Sequence, residues 1–151
     1  MLTRDESKHL REEFWERFRN YSAVRRKQKG KSGLWIMNHT KIPQLKLKFE
    51  FGKEKAIVGI DIETRNVDKR IELFGKLEQF KTILETTMSV ELKWELEYNL
   101  ENGKSISRIY TEKSDVNIYN KEDWPEVFPF LYKNMMKLEK FYEEYWEVLK
   151  Y

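Results

Sequence analysis

The sequence predicts an α+β domain in which a mostly antiparallel sheet is packed by three helices. Three observations indicate this fold class: apolar residues recur at helical spacing in three long segments, they alternate with polar residues in several short segments, and short turns join the short segments in pairs. The chain has 151 residues, of which 40% are hydrophobic and 15% aromatic. This composition is sufficient for one core, so we expect a single domain over residues 1–151.

The first predicted helix spans residues 4–27. It begins after Thr3, which precedes Glu6 by the three residues that are typical of a capping box. The apolar positions of this segment share one helical face: Leu10, Phe14, Phe18 and Tyr21.

Three strands are predicted between the first two helices, over residues 34–38, 44–51 and 55–63. In the segment 44–51 apolar and charged residues alternate, which is typical of a strand with one solvent-exposed face. The segment 55–63 is apolar on most of both faces, so we expect it at the centre of the sheet. Gly52-Lys53 supplies a turn that pairs these two strands as a hairpin.

A second helix is predicted over residues 67–88, with Asn66 or Asp68 as its N-cap. A second hairpin follows, with strands over residues 92–99 and 104–111. The dipeptide between them is Asn-Gly, the strongest two-residue signal for a tight hairpin turn.

The last predicted helix spans residues 122–150, and Pro129 inside it predicts a kink or a later start. Its apolar residues keep the alternating three-four spacing of a coiled-coil seam: Phe128, Leu131, Met135, Leu138, Tyr142, Tyr145 and Leu149. Phe141 and Trp146 widen this stripe, which favours packing on the sheet or on the first helix. Self-pairing in a homodimer through residues 128–149 is the alternative.

Composition excludes several classes of function. The absence of cysteine excludes disulfides, thiolate metal sites and thiol nucleophiles. We find no apolar run that predicts a signal peptide or a membrane span, so we expect a cytoplasmic protein without a membrane partner. The net charge of +3 is unevenly distributed. Residues 1–53 carry 14 Lys and Arg against 6 Asp and Glu, while residues 54–151 carry 15 against 20.

Basic residues concentrate where the first helix ends and in the loop that follows. Two interpretations fit: the cations complement the dipole of the helix, or they contact phosphates, because basic and aromatic residues interleave there. Under the second interpretation two lysines on the exposed face of the next strand extend the surface. The candidate nucleic-acid-binding residues are Arg25, Arg26, Lys27, Lys29, Lys31, Trp35, Lys46 and Lys48.

Asp61 and Glu63 lie on one face of the predicted central strand, about 7 Å apart. Burial of two carboxylates is costly unless they are paired or bind a ligand. The predicted order α-β-β-β-α-β resembles the core of restriction-endonuclease-like folds, in which strand carboxylates hold Mg²⁺. Glu50 on the neighbouring strand could complete such a site. The lysine typical of that motif is absent, because Arg65 stands two residues after Glu63. The alternative is a solvated strand end in which Asp61 and Glu63 pair with Arg65 or Arg70.

His39, between Asn38 and Thr40, is a candidate general base on a loop, with a structural histidine as the alternative. The other histidine lies in a different predicted element, so the chain contains no multi-histidine metal motif. No glycine-rich phosphate loop, nucleophile elbow or dinucleotide fingerprint occurs. We therefore expect no cofactor, except Mg²⁺ under the nuclease alternative.

Four segments resemble a bacterial family described as domain of unknown function 4268: Trp35–Thr40, Ala56–Ile62, Ile106–Tyr110 and Asn120–Pro125. In that family the domain occurs alone or behind a nuclease-like domain, so the resemblance implies nucleic-acid function by association only. The resemblance also implies that six residues recur in the family, in a site or in the core: Trp35, His39, Asp61, Arg108, Tyr110 and Trp124.

The leading prediction is a non-catalytic binding module, for nucleic acid through residues 19–48 or for a protein partner. The alternatives are a divergent Mg²⁺-dependent nuclease that uses Glu50, Asp61 and Glu63, and a homodimeric assembly domain.

Overall fold

Four strands form one antiparallel sheet in the computed structural model, which describes residues 1–151. The strands are β1 (Leu45–Phe51), β2 (Lys55–Ile62), β3 (Lys93–Asn99) and β4 (Ser105–Ser114). Their order across the sheet is β1-β2-β4-β3, so β2 and β4 are the central strands. The helices are α1 (Arg4–Gln28), α2 (Val67–Gln79), α3 (Lys81–Met88) and α4 (Trp124–Lys150).

The two faces of the sheet differ because side chains alternate along each strand. On the core face, Val58, Ile60 and Ile62 of β2 join a cluster of 28 buried apolar residues to which all four helices contribute. The opposite face, here called the polar face, is not covered by a helix. Its residues follow from the strand register: Lys46, Lys48, Glu50, Ile57, Gly59, Asp61, Lys93, Glu95, Tyr98, Ile106, Arg108, Tyr110 and Glu112.

The prediction of an α+β fold with a mostly antiparallel sheet is confirmed, but the strand predicted over residues 34–38 is wrong. This segment forms turns. Met37 has a positive φ of 47°, and the His39 amide bonds back to the Ile36 carbonyl at 2.8 Å. The Met37 carbonyl accepts a single hydrogen bond from the Leu47 amide of β1. The left-handed residue turns the chain before a ladder can extend.

The helix predicted over residues 67–88 is two helices, so the domain has four helices rather than three. The break lies at Phe80, whose φ of −101° and ψ of 12° leave the helical region. The Phe80 ring packs against Phe141 and Tyr145 of α4. The break lets α2 pack on the sheet while α3 follows α4.

The apolar stripe of α4 is used inside this chain. Leu131, Met135, Leu138 and Leu149 are at most 2% exposed, packed in the common core. Along its length α4 runs beside α1 in the same direction, as successive aromatic contacts show: Phe14 with Phe128, then Tyr21 with Tyr132. The seam residues that the homodimer alternative requires are therefore largely covered by the chain itself.

The resemblance to restriction endonucleases is not confirmed. That comparison requires three strands between the first two helices, and the structure has two in a fully antiparallel sheet. None of the helices combines the length and the apolar character that a membrane crossing requires.

Candidate functional site

Arg108 lies at the centre of a hydrogen-bond network on the polar face. The register of β2 and β4 places it opposite Asp61. Its Nε donates to Asp61 Oδ1 at 2.7 Å, and its Nη2 donates to Asp61 Oδ2 at 2.8 Å and to Glu50 Oε1 at 3.0 Å. The Arg108 side chain is only 2% exposed. The carboxylate that the sequence marks as unusual is therefore one half of a buried bidentate ion pair.

Burial acts on both members of this pair. Burial raises the pKa of the Asp61 carboxyl, and the hydrogen bonds from Arg108 offset only part of that effect. Burial also disfavours the Arg108 cation, but the hydrogen bonds to Asp61 and Glu50 outweigh it and raise the pKa of the guanidinium. Because arginine does not lose its proton in proteins, the network keeps a permanent buried positive charge.

The Tyr98 ring packs against the Arg108 guanidinium. The Arg108 Cζ atom lies 4.4 Å from the centre of the Tyr98 ring, and the Tyr98 ring meets Tyr110 edge-on at 5.7 Å. Gly59, the partner of Tyr110 on β2, leaves space for the Tyr110 side chain. A Cβ at Gly59 would lie 2.6 Å from the Ile109 carbonyl oxygen and from Tyr110 Cβ. The Tyr110 hydroxyl donates to Glu95.

A β-bulge in β3 brings Tyr98 onto this face. Two residues lie between Glu95 and Tyr98 on β3, while only one lies between their partners on β4, so one extra residue reverses the alternation. Arg70 of α2 holds the bulge: its Nη1 donates to the Leu96 carbonyl and to Ser107 Oγ, at 2.5 and 3.0 Å. Without the extra residue Glu97 would occupy the place of Tyr98.

A cleft with a volume of 910 Å³ opens beside this network. By register, the tip of the β3–β4 hairpin and the β1–β2 turn lie at opposite ends of the sheet. Both nevertheless line the cleft. The hairpin tip therefore bends over the polar face. Apolar lining comes from Phe51, Ile57, Tyr98, Leu100, Ile118 and Tyr119, and charged lining from Arg11, Lys53, Lys55, Glu50, Glu54 and Glu101.

The other predicted carboxylate is also paired. Glu63 Oε2 lies 3.6 Å from Lys46 Nζ and 4.0 Å from Lys48 Nζ. With Glu50 and Asp61 held by Arg108, all three candidate carboxylates have cationic partners. No group of three or more His, Asp or Glu side chains is arranged to hold a metal ion. His39 lies exposed on its loop, apart from these carboxylates in the sequence and outside the sheet.

The structure divides the predicted nucleic-acid-binding residues into buried and exposed ones. Arg26 is 3% exposed. It donates to the carbonyls of Ser32 and Leu34 at 2.7 and 2.8 Å and to Glu139 Oε1 at 2.6 Å. Its guanidinium lies 4.1 Å from the centre of the Trp35 ring. Arg26 and Trp35 therefore anchor the loop to α4 and do not present a cation to solvent.

Lys31 pairs with Glu143 of α4 at 3.1 Å. The remaining exposed cations of this region make no salt bridge and are here called the basic end of α1: Arg19, Arg25, Lys27 and Lys29. Residues 17–49 contain ten cations and no Asp or Glu. Arg25 is also fixed in place, since its guanidinium lies 3.5 Å from the centre of the Tyr21 ring.

Sequence reasoning missed Tyr98, and it named Arg108 through the family resemblance without assigning it a role. The alternative that paired Asp61 and Glu63 with Arg65 or Arg70 is wrong, because Arg70 donates to the Leu96 carbonyl and to Ser107. One signal for Arg108 was present: it is the single charged residue in the segment 105–111 of a predicted strand, close to Ile106, Ile109 and Tyr110. Two opposite charges in two central strands of one sheet are expected to pair. The bulge that orients Tyr98 has no comparable signal.

Three of the six residues that the family resemblance singled out, Asp61, Arg108 and Tyr110, meet on the polar face. Trp124 is buried in the core, where its Nε1 donates to the Ile118 carbonyl.

Comparisons with known proteins place the chain in a family without assigning it an activity. No curated protein and no solved structure matches it. The family model described as "Domain of unknown function (DUF4268)" matches residues 10–146, which is most of the chain. The chain therefore belongs to the DUF4268 family.

Proposed function

We propose that this domain is a non-catalytic binding module that contacts nucleic-acid phosphates through the basic end of α1. The observation that carries this proposal is a local excess of positive charge. Four exposed cations without a salt bridge stand in a segment whose other cations are mostly paired with carboxylates. Unneutralised cations at a surface attract polyanions because each phosphate contact releases condensed counterions.

The buried contacts behind this surface support the proposal. Arg26 and Glu139 hold the loop that follows α1, and Glu139 Oε2 also accepts a hydrogen bond from the Ile36 amide at 2.8 Å. A loop that is already ordered loses little conformational entropy when it meets a ligand. The basic end contains no aromatic ring free for stacking, since Arg25 covers Tyr21. We therefore expect phosphate contacts without strong sequence preference.

The test is retardation of labelled duplex and single-stranded DNA over a series of salt concentrations. The variant Arg25→Gln, Lys27→Gln, Lys29→Gln should bind weakly, and its slope of log K against log salt should fall by about 3 for duplex DNA. The matched control is Arg65→Gln, Lys69→Gln, Lys104→Gln, which removes the same charge from exposed positions elsewhere.

Two results would contradict the proposal. Equal weakening by both triple variants would mean that only net charge matters. Cleavage of DNA with added Mg²⁺ or Mn²⁺, abolished by Asp61→Ala in a folded variant, would show that the domain is catalytic.

A further inference from the structure

The Arg108 guanidinium keeps one nitrogen without a partner. Nε and Nη2 bond to Asp61 and Glu50, while the buried Nη1 has no hydrogen-bond acceptor. A buried donor without an acceptor costs free energy, more so on a charged group. Glu50 and Tyr98 both contact Arg108 and both line the cleft, so the guanidinium lies behind these two residues of the lining.

The surroundings of Arg108 determine which acceptor fits. Asp61 and Glu50 already place two carboxylates against one guanidinium, so a further anion would meet two like charges at close range. A neutral oxygen, such as a backbone carbonyl, can accept from Nη1 without that repulsion. The available acceptor position therefore favours an amide over a phosphate or a carboxylate.

The charge balance of the cleft lining also favours a neutral ligand over an anion. Three cations and three carboxylates line it, so it carries no net formal charge. The half-buried side chains of Tyr98, Leu100 and Tyr119 supply its accessible apolar surface. A polyanion gains little from such a surface. A volume of 910 Å³ lies at the upper end of the range of about 300–1,000 Å³ for small-ligand sites, enough for a short stretch of extended chain.

From these features we propose that the cleft binds a short extended segment of a partner protein. A backbone carbonyl of the segment accepts a hydrogen bond from Arg108 Nη1, which is reached past Tyr98 and Glu50. Apolar side chains of the segment contact the cleft floor, and side chains of both charges meet the rim. This site is separate from the basic end of α1 and does not depend on the proposed nucleic-acid contact.

Two glycines provide a variant that fills the cleft and a matched control. Gly52 lines the cleft, and a Cβ built there meets no atom within 4 Å. Gly75 on α2 has equally open space and lies outside the cleft. Neither has a positive φ, so a side chain strains neither backbone. Gly52→Trp should fill the cleft entrance in a folded protein, and Gly75→Trp adds the same side chain elsewhere.

The probe is a library of random peptides displayed on phage, selected on the wild-type protein, with the enriched peptides then synthesised. We expect peptides of near-zero net charge that bind Gly75→Trp as well as wild type and Gly52→Trp at least about tenfold more weakly. Amide shifts in the NMR spectrum of the wild-type protein should concentrate at Ile57, Tyr98 and Arg108.

Three outcomes would overturn the proposal: no enriched peptide, enriched peptides that bind both tryptophan variants equally, or DNA binding that Gly52→Trp abolishes. The last would assign the cleft to nucleic acid. Loss of DNA binding only in the triple variant of α1 would leave the peptide proposal intact, so the two proposals fail separately.

Discussion

Asp61 and Arg108 face each other on the two central strands, and Asp61 accepts two hydrogen bonds from Arg108, of 2.7 and 2.8 Å, while both residues are almost fully buried. Asp61 interrupts an otherwise apolar stretch of β2, and the ion pair lies on the polar face of the sheet. Because each charge has lost its water, the pair depends on its geometry and on the side chains above it.

Removal of one member of the pair should destabilise the domain strongly. Asp61→Ala leaves Arg108 buried with only the partly exposed Glu50 as acceptor, and breaking such a pair costs about 3–5 kcal/mol. The measurement is urea unfolding followed by tryptophan fluorescence. The double variant Asp61→Leu, Arg108→Met should be less destabilised than Asp61→Ala. A loss below about 1 kcal/mol would mean that the pair is hydrated and not buried.

Gly59 should not tolerate even one added methyl group. A Cβ at this position would overlap the backbone of Ile109, which cannot rotate away as a flexible side chain could. We expect Gly59→Ala to cost about 1–3 kcal/mol, the range for overpacking. Gly52→Ala, with open space at its Cβ, is the control and should unfold like wild type. Equal midpoints for both variants in a denaturant titration would contradict the register that places Gly59 against Tyr110.

The regular elements were predictable because their signals are local. The alternation in β1 and the apolar stripe of α1 follow from side-chain spacing alone. The prediction of a strand over residues 34–38 is wrong because the spacing of apolar residues does not reveal two features of this segment. Met37 adopts a left-handed conformation. Arg26 and Glu139, which are 113 residues apart, hold the segment on α4.

The candidate site was only partly predictable. Asp61 stood out because a carboxylate in an apolar strand needs a partner. Its partner could not be located by spacing, since Arg108 is 47 residues away. Arg26 and Lys27 are equivalent in a charge pattern, yet only Arg26 points inward, where Glu139 neutralises it. Burial decided between a binding cation and a structural one.

Loss of the Arg26–Glu139 pair should loosen the loop that follows α1. Glu139→Ala removes the acceptor of the Ile36 amide and leaves Arg26 buried beside Trp35 without its carboxylate. We expect a loss of about 3–5 kcal/mol of stability, and exchange of the Ile36 amide hydrogen should accelerate more than that of the β2 amides. Hydrogen exchange followed by NMR measures both. The exposed Lys31–Glu143 pair is the control: Glu143→Ala should change stability by less than about 1 kcal/mol.

Glu112 should contribute to the loss of stability in acid. The hydrogen bond from Lys93 and the ion pair with Lys55 lower the pKa of this carboxyl below its ordinary value of 4.5, although burial opposes them. A carboxyl with a lowered pKa in the folded state stabilises the protein above its ordinary pKa, and the contribution disappears as the pH falls through the folded value. At pH 7 the Glu112→Gln variant should therefore have a lower midpoint of urea unfolding than wild type. The difference between the two midpoints should become smaller as the pH falls below about 4.5. Glu126→Gln, at a more exposed ion pair with Lys113, is the comparison and should follow wild type at every pH. A constant gap between Glu112→Gln and wild type from pH 7 to pH 3 would show that Glu112 acts through packing and not through its charge.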